Sequence, residues 1–169
     1  MSFPRNVGQV PIYYNKYSTG RPIDSDKNVF WSHYMDVEKT PQFPFGFGLS
    51  YTTFDYKNLK LNKTAFAKGE KVEVSVEVTN SGNYDGKEVV QLYIHDEFAS
   101  IVRPIKELKG FELVNLKKGE TKTVKFTLTD KELGFYDNEG NYLVEPGTFK
   151  IMVGGSSDKG LQSGFEIKD

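Results

Sequence analysis

The acidic segment at residues 24–28, DSDKN, has the residue types of a metal-binding loop. Its first, third and fifth side chains carry oxygen ligands, which is the spacing at the start of a calcium-binding EF-hand loop. The sixth position of such a loop needs a glycine and the twelfth a bidentate glutamate, but this chain has Val29 and Met35 there. The sequence therefore predicts a solvated loop rather than a metal site.

The remaining side chains that could do chemistry are isolated. His33 and His95 have no cysteine or histidine neighbour to complete a ligand set, and the chain contains no cysteine. The acidic residues at 137–141, DNEGN, are explained as the turn of a hairpin. Because no phosphate-binding loop, dinucleotide fingerprint or nucleophile elbow occurs either, we predict no catalytic residue, no metal and no cofactor in this chain.

Charge and hydropathy exclude two classes of partner. The 22 basic and 23 acidic residues nearly balance, so nothing steers the chain toward nucleic acid or an anionic lipid surface. No apolar run approaches the roughly 20 residues that span a bilayer, so we expect no membrane insertion. No secretory signal opens the sequence, and we therefore expect a chain that is either cytosolic or has lost its start.

Short segments of alternating polarity dominate the second part of the chain. Residues 71–79, KVEVSVEVT, place valines on one face and polar side chains on the other, which is the pattern of a half-buried strand. We predict an all-β, immunoglobulin-like, seven-stranded β-sandwich with an irregular N-terminal extension and no helix. Residues 71–79 and 88–95 are expected to be central strands because their inward faces are apolar. Further strands are predicted at residues 56–61, 106–116, 121–128, 147–153 and 164–167, with a hairpin at 135–144.

The N-terminal third has a different character. It contains one short apolar run, at residues 7–14, which we predict to be an edge strand because Pro11 removes a backbone donor. The segment FPFGFGLSYTTF at residues 43–54 is aromatic, uncharged and interrupted by two glycines. We therefore divide the chain into residues 1–54 and a β-sandwich domain at residues 55–169.

Three stretches of the sequence resemble one known family. Residues 3–22, FPRNVGQVPIYYNKYSTGRP, are similar to the last strand and following loop of the α/β sandwich domain in glycoside hydrolase family 3. Residues 43–56 resemble the connector into that family's final domain. The runs RPIKELKGFELVNLKKGET at 103–121 and EPGTFKIMVGGSS at 145–157 resemble its C-terminal fibronectin type III-like domain. The resemblance assigns residues 1–54 to the tail of the α/β sandwich domain plus the connector.

The same resemblance implies a chain without the family's catalytic groups. Family 3 β-glucosidases are retaining hydrolases, which need two carboxyl groups about 5–5.5 Å apart. The family's nucleophile is an Asp at the end of a barrel strand, whereas Asp26 and Asp158 lie here in loop-like sequence. We therefore expect a non-catalytic structural domain, inactive alone, that stabilises the barrel and α/β sandwich domains of a parent β-glucosidase. The alternative is a carbohydrate- or protein-binding β-sandwich, which three or more exposed aromatic rings in one flat row would favour.

Specific residues are predicted to contact the rest of such an enzyme. Trp31 and Tyr34 are candidates for the rim of the parent's substrate site, where an aromatic ring stacks on a sugar; the alternative for Trp31 is simple packing. Arg103 is expected in a polar docking patch, against the alternative of a solvent-facing strand edge. We also expect the strand at residues 7–14 either to pack against the sandwich or to self-associate by pairing with a neighbouring chain. For the parent we expect a periplasmic or extracellular location ahead of a cytoplasmic one. The predicted interface consists of Phe43, Phe45, Phe47, Tyr51, Phe54 and Arg103.

Overall fold

Ten strands and one short helix form in the part of the chain that the structure describes. This computed structural model describes residues 1–9, 12–17, 34 and 36–169. In chain order the elements are β1 (Phe54–Leu61), β2 (Ala65–Ala67), β3 (Val72–Asn80), β4 (Gly86–Asp96), β5 (Glu107–Leu116), β6 (Thr121–Leu128), α1 (Asp130–Leu133), β7 (Phe135–Tyr136), β8 (Tyr142–Leu143), β9 (Gly147–Gly154) and β10 (Leu161–Lys168).

Two sheets face each other as a β-sandwich. The smaller sheet has the strand order β1-β3-β6 and the larger has the order β2-β10-β9-β4-β5, while β7 and β8 pair as a hairpin. Neighbouring strands are antiparallel except β2 and β10, which run parallel. The sandwich predicted from alternating polarity is confirmed, and β3 and β4 lie inside their sheets as expected.

The core lies between the two sheets. It forms because every second residue of a strand points toward the opposite sheet, and in the central strands those residues are aliphatic or aromatic. Each such side chain contributes about 1.5–3 kcal/mol when fully buried. The central core residues are Val72, Val74, Val76 and Val78 of β3, Val90, Leu92 and Ile94 of β4, and Phe149, Ile151 and Val153 of β9.

One irregularity marks β5, the strand at the edge of the larger sheet. Its register against β4 shifts by one residue, because Leu92 pairs with Gly110 and Tyr93 pairs with Leu108. Lys109 is left over as a β-bulge. The glycine break predicted inside this strand is therefore a bulge that bends the strand without ending it.

The structure corrects the prediction for residues 7–14. In the described part of this run no residue belongs to a strand: Val7 and Gly8 form a turn, with Gly8 at φ 82°, and Tyr14 lies in another turn. Residues 10 and 11 lie outside the described residues. The prediction of an edge strand is wrong for the described part, since Gly8 turns the backbone. Self-association through a strand at this position therefore loses its structural basis there.

Two short elements were not predicted. The three residues of β2 pair with β10 and are too few to show a period in the sequence. The single turn of α1 begins after Thr129, and the side chains of Thr129 and Glu132 form a capping box. The Thr-x-x-Glu spacing carried that signal in the sequence. Within the described residues, no helix has the length and apolar composition to cross a membrane.

Candidate interdomain docking surface

Residues 43–54, here called the strap, cross the outer face of the larger sheet. The side-chain amide of Gln91, on β4, donates through Nε2 to the carbonyl oxygens of Gly46 (3.2 Å) and Gly155 (2.6 Å). Gly46 has φ 81°, and a Cβ at this position would lie 2.0 Å from Oε1 of Gln91. Both the backbone conformation and the buried amide therefore require glycine here.

Stacked aromatic rings fix the first half of the strap to the sheet. The rings of Tyr14 and Phe45 stack with centroids 4.4 Å apart, and Tyr14 meets Tyr93 edge-to-face at 5.6 Å. The hydroxyl of Tyr93 donates to Oε1 of Gln91 (2.5 Å), which completes the hydrogen bonding of that amide. Burial raises the pKa of Tyr93 above its ordinary value, so the ring stays neutral at any physiological pH.

The loop after β9 is held between the strap and a lysine. The backbone N–H of Ser157 donates to the carbonyl oxygen of Phe45 (2.9 Å). Nζ of Lys106 donates to the carbonyl oxygen of Ser157 and lies 3.8 Å from the sulfur of Met152. Burial lowers the pKa of Lys106, with the charge of Asp158 opposing that shift. Strap, loop and sheet are thus bonded into one unit.

The second half of the strap is tied to the end of β3. The hydroxyl of Thr52 donates to Oδ1 of the buried Asn80 (2.6 Å). Nδ2 of Asn80 donates in turn to the carbonyl oxygens of Tyr84 (2.8 Å) and Leu116 (3.0 Å). The next ring, Phe54, begins β1 and packs against the core. This end of the strap therefore belongs to the sandwich itself.

The opposite side of the strap is uncovered. The rings of Phe43 and Phe47 are exposed, and Tyr51 is 96% exposed. The ring of Phe43 meets that of Phe3 edge-to-face, with centroids 6.4 Å apart. It also contacts the ring of Phe47, with centroids 5.0 Å apart and the ring planes tilted by 36°. Of the predicted interface residues, Phe45 and Phe54 hold the strap to the sandwich, while Phe43, Phe47 and Tyr51 form a surface that faces away from it.

A polar cleft of about 590 Å³ opens between the strap, the N-terminal residues and the loop at residues 155–160. On its wall the hydroxyl of Tyr56 donates to Oε1 of Glu88 (2.7 Å). Burial raises the pKa of Glu88, and the hydrogen bond from Tyr56 opposes part of that shift. A Cβ on Gly155 would lie 2.4 Å from Oε1 of Glu88, so glycine leaves room for the carboxyl. The pair can exchange hydrogen bonds with a polar group that enters the cleft.

Arg103 does not lie on a docking patch. Its guanidinium donates to Oδ2 of Asp96, to the carbonyl oxygen of Leu133 and to Oε1 of Glu107, at 2.8, 2.9 and 2.8 Å. It also lies over the ring of Phe135, 5.2 Å from the centroid. The guanidinium is buried and its partners belong to its own domain, so the assignment to an interdomain interface is not supported by this geometry.

Of the two predicted substrate-rim residues, the structure describes Tyr34. Tyr34 is exposed, and its hydroxyl donates to the carbonyl oxygen of Val7 (3.0 Å). Trp31, His33 and the segment 24–28 lie outside the described residues.

The turn predicted at residues 137–141 is present. Asp137 accepts hydrogen bonds from the backbone N–H groups of Glu139 (2.9 Å) and Asn141 (2.8 Å), as expected of turn chemistry.

The residues that fix the strap were not predicted from the sequence. Gln91 and Tyr93 were predicted only as part of a strand, and Tyr14 only as part of an apolar run. One signal was available, because a glutamine inside the run VVQLYI is a polar group that needs partners once it is buried. The strap that supplies one of those partners lies 45 residues earlier, and no local pattern reports such a contact.

Comparison with known proteins identifies relatives of this chain. A family model described as the fibronectin type III-like domain matches residues 88–157. The chain is 45% identical over 168 residues to the periplasmic β-glucosidase of Salmonella typhimurium, covering 99% of this chain and 22% of that protein. It is 52% identical over 159 residues to a β-xylosidase of Formosa agariphila, covering 93% of this chain and 21% of that protein.

A solved structure of a β-glucosidase also matches this chain along its whole length. The crystal structure of β-glucosidase from Listeria innocua in complex with glucose matches with a TM-score of 0.92 and 42% sequence identity, covering 100% of this chain and 24% of that protein. The chain thus spans about a fifth to a quarter of the length of the relatives it matches. The resemblance seen in the sequence is therefore confirmed: the chain contains a fibronectin type III-like domain and is homologous to part of family 3 β-glucosidases and β-xylosidases, as expected of their C-terminal region.

Proposed function

We propose that the chain is the non-catalytic structural region of a family 3 glycoside hydrolase of the β-glucosidase type. The remaining part of that enzyme would hydrolyse O-glycosidic bonds of β-glucosides or β-xylosides with retention of configuration. Residues 1–54 would complete the preceding domain and connect it to the sandwich at residues 55–169. The observation that carries the proposal is the strap, which is bonded to the sandwich on one side and presents uncovered aromatic rings on the other.

The uncovered rings account for the stabilising role. Rings as large as Phe43 and Phe47 contribute about 1.5–3 kcal/mol each when a partner buries them fully. Because Gln91 and Asn80 hold the strap at both ends, little conformational entropy is lost when a partner covers it. A rigid apolar surface of this kind fits a permanent interface within one enzyme better than a transient one.

The geometry favours this role over a sugar-binding platform. A platform needs several exposed rings in one plane. The ring planes of Phe3 and Phe43, however, make an angle of 80°, and those of Phe43 and Phe47 make an angle of 36°. These three rings are exposed on the strap side, together with Tyr51 farther along the strap. Their faces do not form one flat surface on which a sugar could stack.

An activity assay tests the proposed role. The purified chain is incubated with aryl β-glucosides and aryl β-xylosides, with the Salmonella typhimurium relative as a positive control. We expect turnover by the control and none by the chain above the buffer blank. Turnover by the chain that survives repurification would overturn the proposal.

A binding assay tests the surface. The Salmonella relative, expressed without the region that this chain matches, is passed over the immobilised chain. We expect retention by the native chain and loss of retention for the double variant Phe43→Ser/Phe47→Ser. The matched control is Phe98→Ser, because Phe98 is exposed and lies outside the strap. Equal retention by all three chains would show that the strap is not the docking surface.

A further inference from the structure

The edge strand β5 carries an uncovered apolar surface that the strap does not use. Val89 of β4 pairs with Leu113 of β5, and Gln91 pairs with Phe111, so these residues lie side by side on the outer face of the sheet. Val89, Phe111 and Leu113, here called the edge patch, are 40%, 67% and 55% exposed. The strap covers Gln91 and stops short of β5, so the edge patch is a separate surface.

The backbone edge beside this patch is also open. The strand order places β5 at the end of the larger sheet, with β4 as its neighbour on one side. In the described part of the chain, side chains bond two backbone carbonyls of β5, those of Asn115 and Leu116. Both are at the C-terminal end of the strand. With respect to the described residues, the stretch around Phe111 is therefore free to add a strand, as exposed sheet edges do.

We propose that two copies of this chain pair through β5, antiparallel and two-fold symmetric, with Phe111 of one copy opposite Phe111 of the other. In this register the bulge at Lys109 brings Leu108 of each copy opposite Leu113 of the other, because Leu108 and Leu113 both face outward. The larger sheets of the two copies then join through their β5 strands into one continuous sheet, and the two edge patches lie side by side on it. Its outer face carries a row of leucine and phenylalanine pairs, which stabilise antiparallel strands.

The charges on β5 select the same register. Centred on Phe111, the pairing places Glu112 opposite Gly110 and next to the bulged Lys109 of the second copy, so opposite charges are neighbours. Centred one residue later, it would place Glu112 directly opposite Glu112, and like charges directly opposite destabilise a sheet. Nζ of Lys109 already lies 2.9 Å from Oε2 of Glu107 in its own chain. In the dimer each Lys109 would therefore lie between two carboxylates, that of its own Glu107 and that of Glu112 in the second copy.

Disulfide trapping tests the pairing and its register. The chain has no cysteine, so any disulfide in a single-cysteine variant joins two copies. Directly opposite residues have Cβ atoms about 4.5–5.5 Å apart, and a disulfide needs Cα atoms within about 7 Å. We expect Phe111→Cys to form a covalent dimer under mild oxidation. Leu113→Cys should stay uncrosslinked, because in this register its two copies are about 14 Å apart along the strands. Phe98→Cys, an exposed control outside β5, should also stay uncrosslinked.

Light scattering coupled to size exclusion gives the second readout. We expect the native chain to dimerise with rising concentration and Phe111→Lys and Phe111→Glu each to be monomeric, since like charges would then face each other. Mixing the two variants should restore a dimer, which a variant that merely failed to fold could not do. A native chain that stays monomeric at every concentration, variants that dimerise as the native chain does, or equal crosslinking of all three cysteine variants would overturn the proposal.

Discussion

The ring of Tyr14 stacks on the ring of Phe45 with their centroids 4.4 Å apart. Through this contact and the edge of Tyr93, residues from the N-terminal segment, the strap and β4 meet over the outer face of the sheet. The irregular first part of the chain is therefore packed onto the sandwich in the described residues. Two rings of one strap, Phe45 and Phe47, consequently differ in role although they are two residues apart.

Replacing these two rings separates the anchor from the exposed surface. We expect Phe45→Ala to lower the free energy of unfolding by about 2 kcal/mol, because it removes a half-buried ring and its stacking contact with Tyr14. Phe47→Ala should change it by less than about 0.5 kcal/mol, because the ring is exposed. Urea denaturation followed by tyrosine and tryptophan fluorescence measures both. An equal loss in the two variants would contradict the assignment of Phe45 as the anchor.

A comparison of two glycines isolates the contact between the strap and the sheet. Gly46 and Gly119 both have positive φ, 81° and 76°. A Cβ on Gly46 would strike the side chain of Gln91, whereas a Cβ on Gly119 meets nothing within 4 Å. We expect Gly119→Ala to cost about 1 kcal/mol of stability and Gly46→Ala about 2–3 kcal/mol. Thermal and urea unfolding give both values, and equal costs would show that the Gln91 contact does not hold the strap.

The buried ion pair between Asp96 and Arg103 predicts a large loss on truncation. Both side chains are buried, and Oδ1 of Asp96 already lacks a hydrogen-bond partner among the described residues. Arg103→Ala would leave the Asp96 carboxylate without its counter-ion, so we expect the free energy of unfolding to fall by about 3–5 kcal/mol. The control is Lys63→Ala, which removes an exposed ion pair with Glu70 and should barely move the unfolding midpoint. A small effect at Arg103 would mean that water reaches Asp96.

The pH dependence of stability should report on Glu88. Burial raises its pKa in the folded state above the ordinary value of about 4.3, so the folded state favours the protonated form. The stability from this group is then fully present below the unfolded pKa and is lost as pH rises toward the folded pKa. We expect Glu88→Gln to lose this dependence and to gain stability over the native chain as pH rises through that window. Urea unfolding over a pH series measures the difference.

A matched variant controls for net charge in that experiment. Glu139 is exposed in the hairpin turn, so Glu139→Gln removes the same charge without touching the cleft. A difference between native chain and Glu88→Gln that stays constant from acidic to neutral pH would contradict the raised pKa.

The sandwich could be predicted from sequence because its signal is local. Alternating valines define β3 whatever surrounds them, and turn residues mark where each strand ends. The hairpin of β7 and β8 was predicted for the same reason, from the glycine-containing turn at residues 137–141.

The candidate surface could be predicted only in outline. Composition showed that the strap is apolar, but which rings face inward depends on Gln91 and Tyr93, far along the chain. Arg103 was placed in a docking patch because arginine is the cation that interfaces favour, and only the fold brings Asp96, Glu107 and the carbonyl of Leu133 around it. Contacts between residues distant in sequence carry no periodic signal, so this part required the structure.

The parallel pairing of β2 with β10 has a consequence for the order of folding. Residues 65–67 find their ladder partners at residues 166–168, about a hundred residues later. A strand with a partner so distant cannot be nucleated by a hairpin, and closing so long a loop is entropically slow. The β3–β6 and β4–β5 ladders join strands much nearer in sequence. We therefore expect pulse-labelled hydrogen exchange to find β2 among the last strands to gain protection during refolding, and native-state exchange to find it among the first to open.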